Sequence, residues 1–105
     1  MRIMIVGAGD IGIPVIHYLS ERGHLLTVIE MDEKRCKEIA GHSDAAIFQG
    51  SGTNPEIWKS IEADKMDALL ALTNKDEVNL EVCKMAKKQF GIPFVIARAD
   101  QPENT

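Results

Sequence analysis

The amino-acid sequence predicts an α/β fold, a doubly wound parallel sheet with helices on both faces. Short apolar runs alternate along the chain with longer stretches that have helical periodicity. Most of the runs are continuously apolar, as is typical of strands covered on both faces. A glycine-rich turn at residues 7–12 separates the first apolar run from the first helical stretch. These three observations carry the prediction.

The apolar runs predict five strands. They cover residues 2–6, 25–30, 45–49, 67–72 and 94–98. Because crossovers between parallel strands are right-handed, the first three strands wind in one direction and the fourth begins on the other side of the first. The predicted strand order is therefore 3-2-1-4-5. In such a sheet the ligand crevice lies beyond the carboxyl ends of the first and fourth strands.

The first two helices have recognisable ends. The first is predicted over about residues 11–22, and Gly23 provides its left-handed end. Pro14 falls in its first turn, where the missing N–H breaks no helical hydrogen bond. The second helix follows Asp32, a predicted N-cap, and runs to about residue 40.

The last two helices are also delimited by polar residues and glycine. The third opens at Thr53, which stands at capping-box spacing from Glu56, with Pro55 near the first helical position. The fourth is predicted over about residues 76–90 and stops at Gly91.

Composition and charge exclude several classes of protein. A length of 105 residues fits one domain. The net charge of −4 and the aromatic content of 5% argue against nucleic acid as a partner, because neither a basic stripe nor stacking platforms are provided. The apolar runs are far shorter than the ~20 residues that cross a bilayer, so a cytoplasmic chain without membrane insertion is expected. Cys36 and Cys83 lack ligand spacing, which predicts reduced thiols and no metal site.

The strongest local signal is Gly7-Ala8-Gly9-Asp10-Ile11-Gly12, which has G-x-G-x-x-G spacing. Its place between a predicted strand and a predicted helix is typical of a Rossmann-like dinucleotide-binding turn. The first glycine permits the turn, the second lets the backbone approach a pyrophosphate, and the third brings helix against strand. A tight turn with a purely structural role is the alternative interpretation.

Glu30 ends the second predicted strand, 18 residues after Gly12. At that position a carboxylate accepts hydrogen bonds from the ribose hydroxyls of an adenosine, although a solvated acid at a strand end is the alternative. Met31 and two acids follow, so a ribose 2′-phosphate would meet acids before it met Lys34 or Arg35. NADP is therefore disfavoured.

Two polar loops flank the predicted crevice. Gly50, Ser51 and Thr53 follow the third strand beside the expected adenine position, either as ligand contacts or as an ordinary turn with a helix cap. On the opposite lip, Thr73 and Asn74 follow the fourth strand. Thr73 either bonds a phosphate or ribose oxygen, or one of the two residues caps the next helix.

Arg98 ends the fifth strand and is the one basic residue predicted to face the carboxyl edge of the sheet. It is expected to pair with an acid such as Asp76 or Glu77, the slightly favoured interpretation, or to touch a phosphate. The histidines at positions 17, 24 and 42 have no partner that suggests acid–base chemistry, so no catalytic residue is predicted.

Several stretches together resemble a known family. Residues 3–12, 28–30, 50–55, 71–79 and 96–98 resemble the TrkA N-terminal family, the nucleotide-binding RCK or KTN domains that regulate potassium channels and transporters. The most specific part is the T-x-x-D-E-x-N stretch that begins at Thr73 and ends at Asn79. Generic dehydrogenases share the glycine motif but seldom this stretch.

The resemblance implies a regulatory subunit, not an enzyme. Members of the family bind NAD(H), ATP or ADP, assemble as dimers or larger rings, and pass the ligand state to a membrane potassium-translocating partner. We therefore expect NAD(H), with ATP or ADP as the alternative, and a cytoplasmic location at the inner face of the membrane through that partner. By the family pattern the phosphates lie along residues 7–12, the ribose on Glu30, the adenine near Ser51 and Thr53, and the opposite wall at Thr73. The residues predicted to bind the nucleotide are Gly7, Ala8, Gly9, Asp10, Ile11, Gly12, Glu30, Met31, Gly50, Ser51, Thr53, Thr73, Asn74 and Arg98.

Three features depart from the family pattern. Asp10 stands where the family often has Arg or Gln, and a carboxylate there repels a pyrophosphate unless it turns away to cap the helix. Ser51 replaces the usual Asp of a G-D-x-T turn. The chain ends at Thr105, before the family's last strand and crossing helix, so one Rossmann-like domain without them is expected over residues 1–105.

Two other functions fit parts of the sequence. The cofactor-binding fragment of an NAD-dependent dehydrogenase shares the glycine turn and the acid, but the sheet leaves no residues to hold a substrate against the nicotinamide. A small methyltransferase that binds S-adenosylmethionine also uses a glycine-rich loop, although the three-glycine spacing suits a diphosphate better. The sequence favours a regulatory module in which ligand occupancy shifts the arrangement of paired domains.

Overall fold

The computed structural model describes residues 1–98 of the chain. Within these residues five parallel strands form one sheet with the order β3-β2-β1-β4-β5. The predicted Rossmann-like α/β class and its strand order are confirmed. The strands are β1 (Arg2–Val6), β2 (Leu25–Glu30), β3 (Ala46–Gln49), β4 (Ala68–Ala71) and β5 (Phe94–Ala97).

The last three strands are shorter than predicted: residues 45, 67, 72 and 98 lie outside them. Single hydrogen bonds nevertheless continue the pairing beyond both ends of β4 and beyond the end of β5, where the Arg98 amide donates to the Ala71 carbonyl at 2.9 Å. The Asp67 amide donates to the Arg2 carbonyl at 2.8 Å and the Leu72 amide donates to the Val6 carbonyl at 2.8 Å. Some residues within the predicted bounds therefore make one hydrogen bond to the neighbouring strand but are not part of the regular strand pairing.

The register places three strand ends side by side. Val6, the last residue of β1, pairs with Ile29 on one side and with Ala71 on the other. The residues that follow these positions, Gly7 and Glu30 among them, therefore lie at one edge of the sheet. The Gly7 amide donates to the Ile29 carbonyl at 2.9 Å, which ties the turn after β1 to β2.

Four α-helices connect the strands within the described residues, as predicted. They are α1 (Gly12–Glu21), α2 (Glu33–His42), α3 (Pro55–Ser60) and α4 (Asp76–Lys88). The end of α1 has the geometry expected of a glycine stop: Gly23 has φ 80° and its amide donates to the Ser20 carbonyl at 3.2 Å. Asp32 caps α2 as predicted, since its side chain accepts from the Lys34 amide at 3.1 Å.

The start of α3 differs from the sequence prediction. The N-cap is Asn54, whose side chain accepts from the Glu56 amide at 3.0 Å, so the prediction of a capping box opened by Thr53 is wrong. Thr53 bonds instead to the hydroxyl of Ser51 at 3.0 Å. A short 3₁₀ turn, Ala63–Lys65, follows α3 and was not predicted from the sequence.

The core consists of two apolar layers, one on each face of the sheet. The side chains of α3 and α4 form one layer, where Trp58 is fully buried and its ring centroid lies 5.1 Å from that of Phe90. The other layer contains Ile16 of α1 and Ile39 of α2. Helices therefore cover both faces, and the loops at the carboxyl edge remain available for a site.

The longest helix described, α4, has 13 residues. Within residues 1–98 no helix combines the length and the apolar character needed to span a bilayer.

Candidate functional site

A cleft opens at the carboxyl edge of the sheet, where the turns after β1 to β4 meet. Its volume is about 180 Å³, and about 690 Å³ when the space open to solvent is included. Residues from the predicted set that line it are Gly7, Ala8, Gly9, Glu30, Met31, Gly50, Ser51, Thr53, Thr73 and Asn74. The cleft is lined also by Val6, Ile29, Arg35, Gly52, Leu72, Lys75 and Val78.

Four residues of the predicted set do not line this cleft: Asp10, Ile11, Gly12 and Arg98. Asp10 is exposed at the start of α1. The N-cap of that helix is Ile11 and has no side-chain cap bond, so Asp10 does not turn away to cap the helix as the alternative supposed. Gly12 already belongs to α1, and Arg98 follows β5, which is separated from β1 by β4.

The three glycines of the turn differ in what a side chain would meet. A Cβ on Gly7, which has φ 94°, would lie 2.8 Å from the Thr73 amide nitrogen, and one on Gly12 would lie 2.7 Å from the Gly7 carbonyl oxygen. These two positions require glycine because backbone atoms are in the way. A Cβ on Gly9 would meet only the guanidinium of Arg35, at 3.0 Å from Nη1. Gly9 therefore keeps the turn accessible from the cleft.

Glu30 forms the wall of the cleft at the end of β2. Its side chain is only 7% exposed, so it is not the solvated acid of the alternative interpretation. Oε1 accepts a hydrogen bond from the Ala8 amide at 2.7 Å, and Oε2 accepts one from the Asp32 amide at 2.7 Å. A carboxylate offers about four acceptor positions, so two remain for further donors. The arrangement thus fits a ribose diol as well as the turn that it already holds.

The loop after β3 is anchored to the core. The Ser51 hydroxyl accepts from the Thr53 amide at 3.3 Å, and the Gly50 amide donates to the Glu30 carbonyl at 2.9 Å. The indole Nε1 of buried Trp58 donates to the Gly52 carbonyl at 2.8 Å. A Cβ on Gly52 would collide with the Val6 side chain, which is why this unpredicted residue also has to be small.

Thr73 and Asn79 form a closed network on the opposite lip. Asn79 is 1% exposed, and its Oδ1 accepts from the Thr73 amide at 3.0 Å and from the Thr73 hydroxyl at 2.6 Å. Its Nδ2 donates to the carbonyls of Thr73 and Arg98, both at 3.0 Å. The Thr73 hydroxyl is therefore engaged within the loop. The N-cap of α4 is Lys75, so the alternative that Thr73 or Asn74 caps this helix is wrong.

Sequence reasoning missed two cationic residues, Arg35 and Lys75. Within the described part of the chain, these two and Glu30 are the charged residues that line the cleft. Arg35 is the third residue of α2, and its Nε lies 3.8 Å from Oδ2 of Asp32. The available signal was the position of Arg35 in the first turn of α2, shortly after Glu30 at the end of β2.

Cys36 lies just behind the cleft and is not a reactive thiolate. Its Sγ donates to the Glu30 carbonyl at 3.6 Å. Burial raises the pKa of the Cys36 thiol, and the nearby charges of Glu30, Asp32 and Glu33 raise this pKa further. The thiol therefore stays protonated at neutral pH, and both cysteines are unbridged.

The cleft contains groups for binding and few groups for catalysis. No histidine or cysteine is found among its described lining residues. Across residues 1–98, His, Cys, Asp and Glu side chains form no group of three or more that could hold a metal ion. Backbone amides, hydroxyls, two cations and one buried carboxylate are arranged around an apolar floor that includes Val6, Ile29 and Leu72.

Solved structures with the same fold come from several functional classes. The Kef CTD of Shewanella denitrificans in AMP-bound form has a TM-score of 0.78 at 20% identity, covering 96% of this chain and 60% of that one. The GsuK channel bound to NAD has a TM-score of 0.78 at 18% identity, covering 94% of this chain and 18% of that one. A xanthine dehydrogenase from Bacillus halodurans has a TM-score of 0.77 at 16% identity, covering 98% of this chain and 31% of that one. At these identities the likeness shows the fold alone.

Similarity in sequence is more specific. The chain is 34% identical over 98 residues to the Trk system potassium uptake protein TrkA of Halomonas elongata, covering 93% of this chain and 21% of that protein. It is 32% identical over 104 residues to the TrkA homolog of Methanothermobacter thermautotrophicus, covering 99% of this chain and 48% of that protein. The chain thus spans about a fifth to a half of the length of these curated relatives.

The TrkA-N domain family matches this sequence over residues 3–105, nearly the entire chain. The glycine turn, Glu30 and the Thr73–Asn79 network all lie within the matched range. The chain therefore belongs to the TrkA-N domain family.

Proposed function

We propose that this chain is a nucleotide-binding regulatory domain of a potassium uptake system, and that the cleft binds the adenosine and phosphate groups of NAD(H), with ATP or ADP as the alternative. One observation carries the proposal above others. The Glu30 carboxylate faces the cleft while it holds the glycine turn through the Ala8 amide at 2.7 Å. Ribose recognition and the conformation of the phosphate-binding turn thereby depend on one side chain.

Each part of an adenine nucleotide has a counterpart in the cleft. The ribose hydroxyls donate to the remaining acceptor positions of Glu30. The phosphates approach the backbone at Gly9, where no Cβ intervenes and the N-terminus of α1 supplies a positive partial charge. The adenine lies toward Ser51 and Thr53, whose loop is held from behind by Trp58.

NAD(H) and adenine mononucleotides share the part that these residues hold. The GsuK channel is described as bound to NAD and the Kef CTD as bound to AMP. Both ligands contain adenosine with an α-phosphate, which supports adenine nucleotides as the ligand class. Asp32 and Glu33 directly follow Met31 in the sequence, and their negative charge supports NAD(H) over NADP.

The names of the relatives support a partner of one class. They are named as Trk system potassium uptake proteins, which supports a membrane potassium-translocating subunit as the partner of this domain. The domain would then lie in the cytoplasm at the inner face of the membrane and act in a homodimer or a larger ring. The ligand would shift the arrangement of paired domains by its difference in affinity for the two arrangements.

An enzymatic function has less support. The shared fold with a xanthine dehydrogenase does not favour it, since one fold hosts many functions. Catalysis by a bound dinucleotide needs groups that orient a substrate at the reactive ring. The described lining residues offer Lys75 and hydroxyls, but neither a histidine nor a thiolate.

Isothermal titration calorimetry of the purified chain with NAD, NADH, NADP, ATP, ADP and S-adenosylmethionine tests the proposal. We expect micromolar or tighter binding of NAD(H) or of ATP and ADP, and weaker binding of NADP. Preferred binding of S-adenosylmethionine would contradict the proposal, as would the absence of heat with every adenine nucleotide. Hydride transfer by the isolated chain would favour the dehydrogenase alternative.

A further inference from the structure

Arg35 reaches over the glycine turn from the first turn of α2. The start of this helix is fixed at Asp32, whose amide donates to Glu30 and whose side chain accepts from Lys34. In this position Nη1 of Arg35 lies 3.0 Å from the place that a Cβ on Gly9 would occupy. The guanidinium therefore rests on the part of the turn that Gly9 leaves accessible.

Positive charge lies on both lips of the cleft. Arg35 contributes it from α2, and Lys75 contributes it from the loop before α4. The one anionic group among the described lining residues is Glu30, whose two oxygens each accept an amide hydrogen bond. An anion that enters between the lips meets cations on both sides.

The ion pair of Arg35 holds its side chain only weakly. It joins Nε to Oδ2 of Asp32 at 3.8 Å, and the two side chains are 43% and 52% exposed. Exposed pairs of this kind contribute little and are screened by salt. The Nη ends carry four of the five guanidinium donors and are not used in this pair. The guanidinium can therefore turn toward a ligand at small cost.

We propose that Arg35 binds the diphosphate of the nucleotide, so that affinity in this cleft depends on the number of phosphates. A diphosphate that approaches the Gly9 backbone arrives where the guanidinium now lies. A planar guanidinium pairs with two phosphate oxygens at once, whereas an ammonium acts as a point charge. Adenosine needs Glu30 but not Arg35, while ADP and NAD need both. This inference rests on the proposed function.

Calorimetric titrations of the full chain with adenosine, AMP, ADP, NAD and NADP test the role of Arg35. The variants are Arg35→Met, which removes the charge, and Arg35→Lys, which keeps the charge without the fork. Lys37→Met is the matched control, because Lys37 lies on the same helix, is 77% exposed and pairs with Glu33 at 3.5 Å outside the cleft. Thermal unfolding of each variant checks that the fold is retained.

We expect Arg35→Met to weaken ADP and NAD binding by about 10- to 100-fold, the range of a lost charge-assisted hydrogen bond. The affinity of Arg35→Met for adenosine stays within about twofold of the wild-type value. For ADP and NAD, the affinity of Arg35→Lys lies between those of the wild type and Arg35→Met, and Lys37→Met has the wild-type affinity. Unchanged ADP binding in Arg35→Met would overturn the inference, as would equal losses for adenosine and ADP. A loss confined to NADP would also overturn it, because Arg35 would then contact a ribose 2′-phosphate. If the wild-type chain binds none of the five, the proposed function fails, and that result is distinct from a change among variants.

Discussion

The Ala8 amide donates a 2.7 Å hydrogen bond to the buried carboxylate of Glu30, which joins the glycine turn after β1 to the end of β2. The second carboxylate oxygen accepts from the Asp32 amide at 2.7 Å, which joins the same side chain to the start of α2. Glu30 thus sets the relative positions of three segments around the cleft. A ligand that bonds to Glu30 would act on all three.

Glu30→Gln is expected to lower both stability and nucleotide affinity. A glutamine offers one carbonyl oxygen, so its NH₂ group faces the amide of either Ala8 or Asp32 and leaves a buried donor without a partner. This costs about 1–3 kcal/mol of unfolding free energy. Urea unfolding followed by the fluorescence of Trp58 measures the loss.

Glu33→Gln serves as the control, because the Glu33 side chain is 69% exposed. We expect the unfolding free energy of this variant to stay within about 0.5 kcal/mol of the wild-type value. Equal stability of the two variants would contradict the role assigned to Glu30.

Gly9→Ala is expected to separate binding from folding. Its methyl group would displace only the flexible end of Arg35, so we expect stability to change by less than about 0.5 kcal/mol. The same methyl group would occupy the approach to the turn and weaken diphosphate binding. Gly12→Ala provides the contrast, because its Cβ would lie 2.7 Å from the Gly7 carbonyl oxygen and would cost about 1–3 kcal/mol. Thermal unfolding and calorimetry measure the two effects, and wild-type affinity for ADP and NAD in Gly9→Ala would argue against a phosphate site at Gly9.

Asn79→Asp is expected to destabilise the protein more at pH 7 than at pH 5. A carboxylate at this buried position would face the carbonyl oxygens of Thr73 and Arg98, which now accept from Nδ2. Burial and these oxygens would raise its folded pKa above the ordinary aspartate value of about 3.9. A raised folded pKa means that stability is retained below the unfolded pKa and lost as pH rises through the folded pKa. Urea unfolding at the two pH values, with Asn74→Asp at an exposed position as the control, measures the difference. A pH-independent effect would show that the network tolerates the charge.

Both thiols are expected to react slowly with iodoacetamide at neutral pH. Burial raises the pKa of Cys83 and, together with nearby acids, that of Cys36. Because the folded pKa values are raised, the unfolded chain ionises first, and stability falls as pH rises above the ordinary thiol value. Alkylation rates of the single-cysteine variants Cys36→Ser and Cys83→Ser, compared with N-acetylcysteine from pH 7 to 10, test this. A rate at pH 7 equal to that of the free thiol would contradict the raised pKa values.

The sheet could be predicted because its determinants are local. Continuous apolar runs mark strands covered on both faces, and the handedness of crossovers then fixes their order. The same reasoning placed Gly7, Glu30 and Thr73 around one crevice, since each follows a strand whose carboxyl end lies at that edge. Whether these residues bind a nucleotide remains a prediction.

The contacts that the sequence did not predict depend on how the elements are placed in space. Arg35 is five residues beyond Glu30, and the distance along the chain does not reveal that its guanidinium lies beside Gly9. Asn54 displaces Thr53 as the cap of α3 because the Ser51 hydroxyl engages Thr53, a competition that spacing alone does not reveal. Arg98 lies one strand too far from β1 to line the cleft.

The most direct test of the central claim is a ¹H–¹⁵N NMR titration of the ¹⁵N-labelled chain with NAD, repeated with ADP. If the cleft is the nucleotide site, the largest shift changes will occur at the amides of Gly7, Ala8, Gly9, Ser51 and Thr73, and Glu30→Gln will reduce them at equal ligand concentration. Saturating changes centred on another surface, or none at millimolar NAD and ADP, would contradict the account.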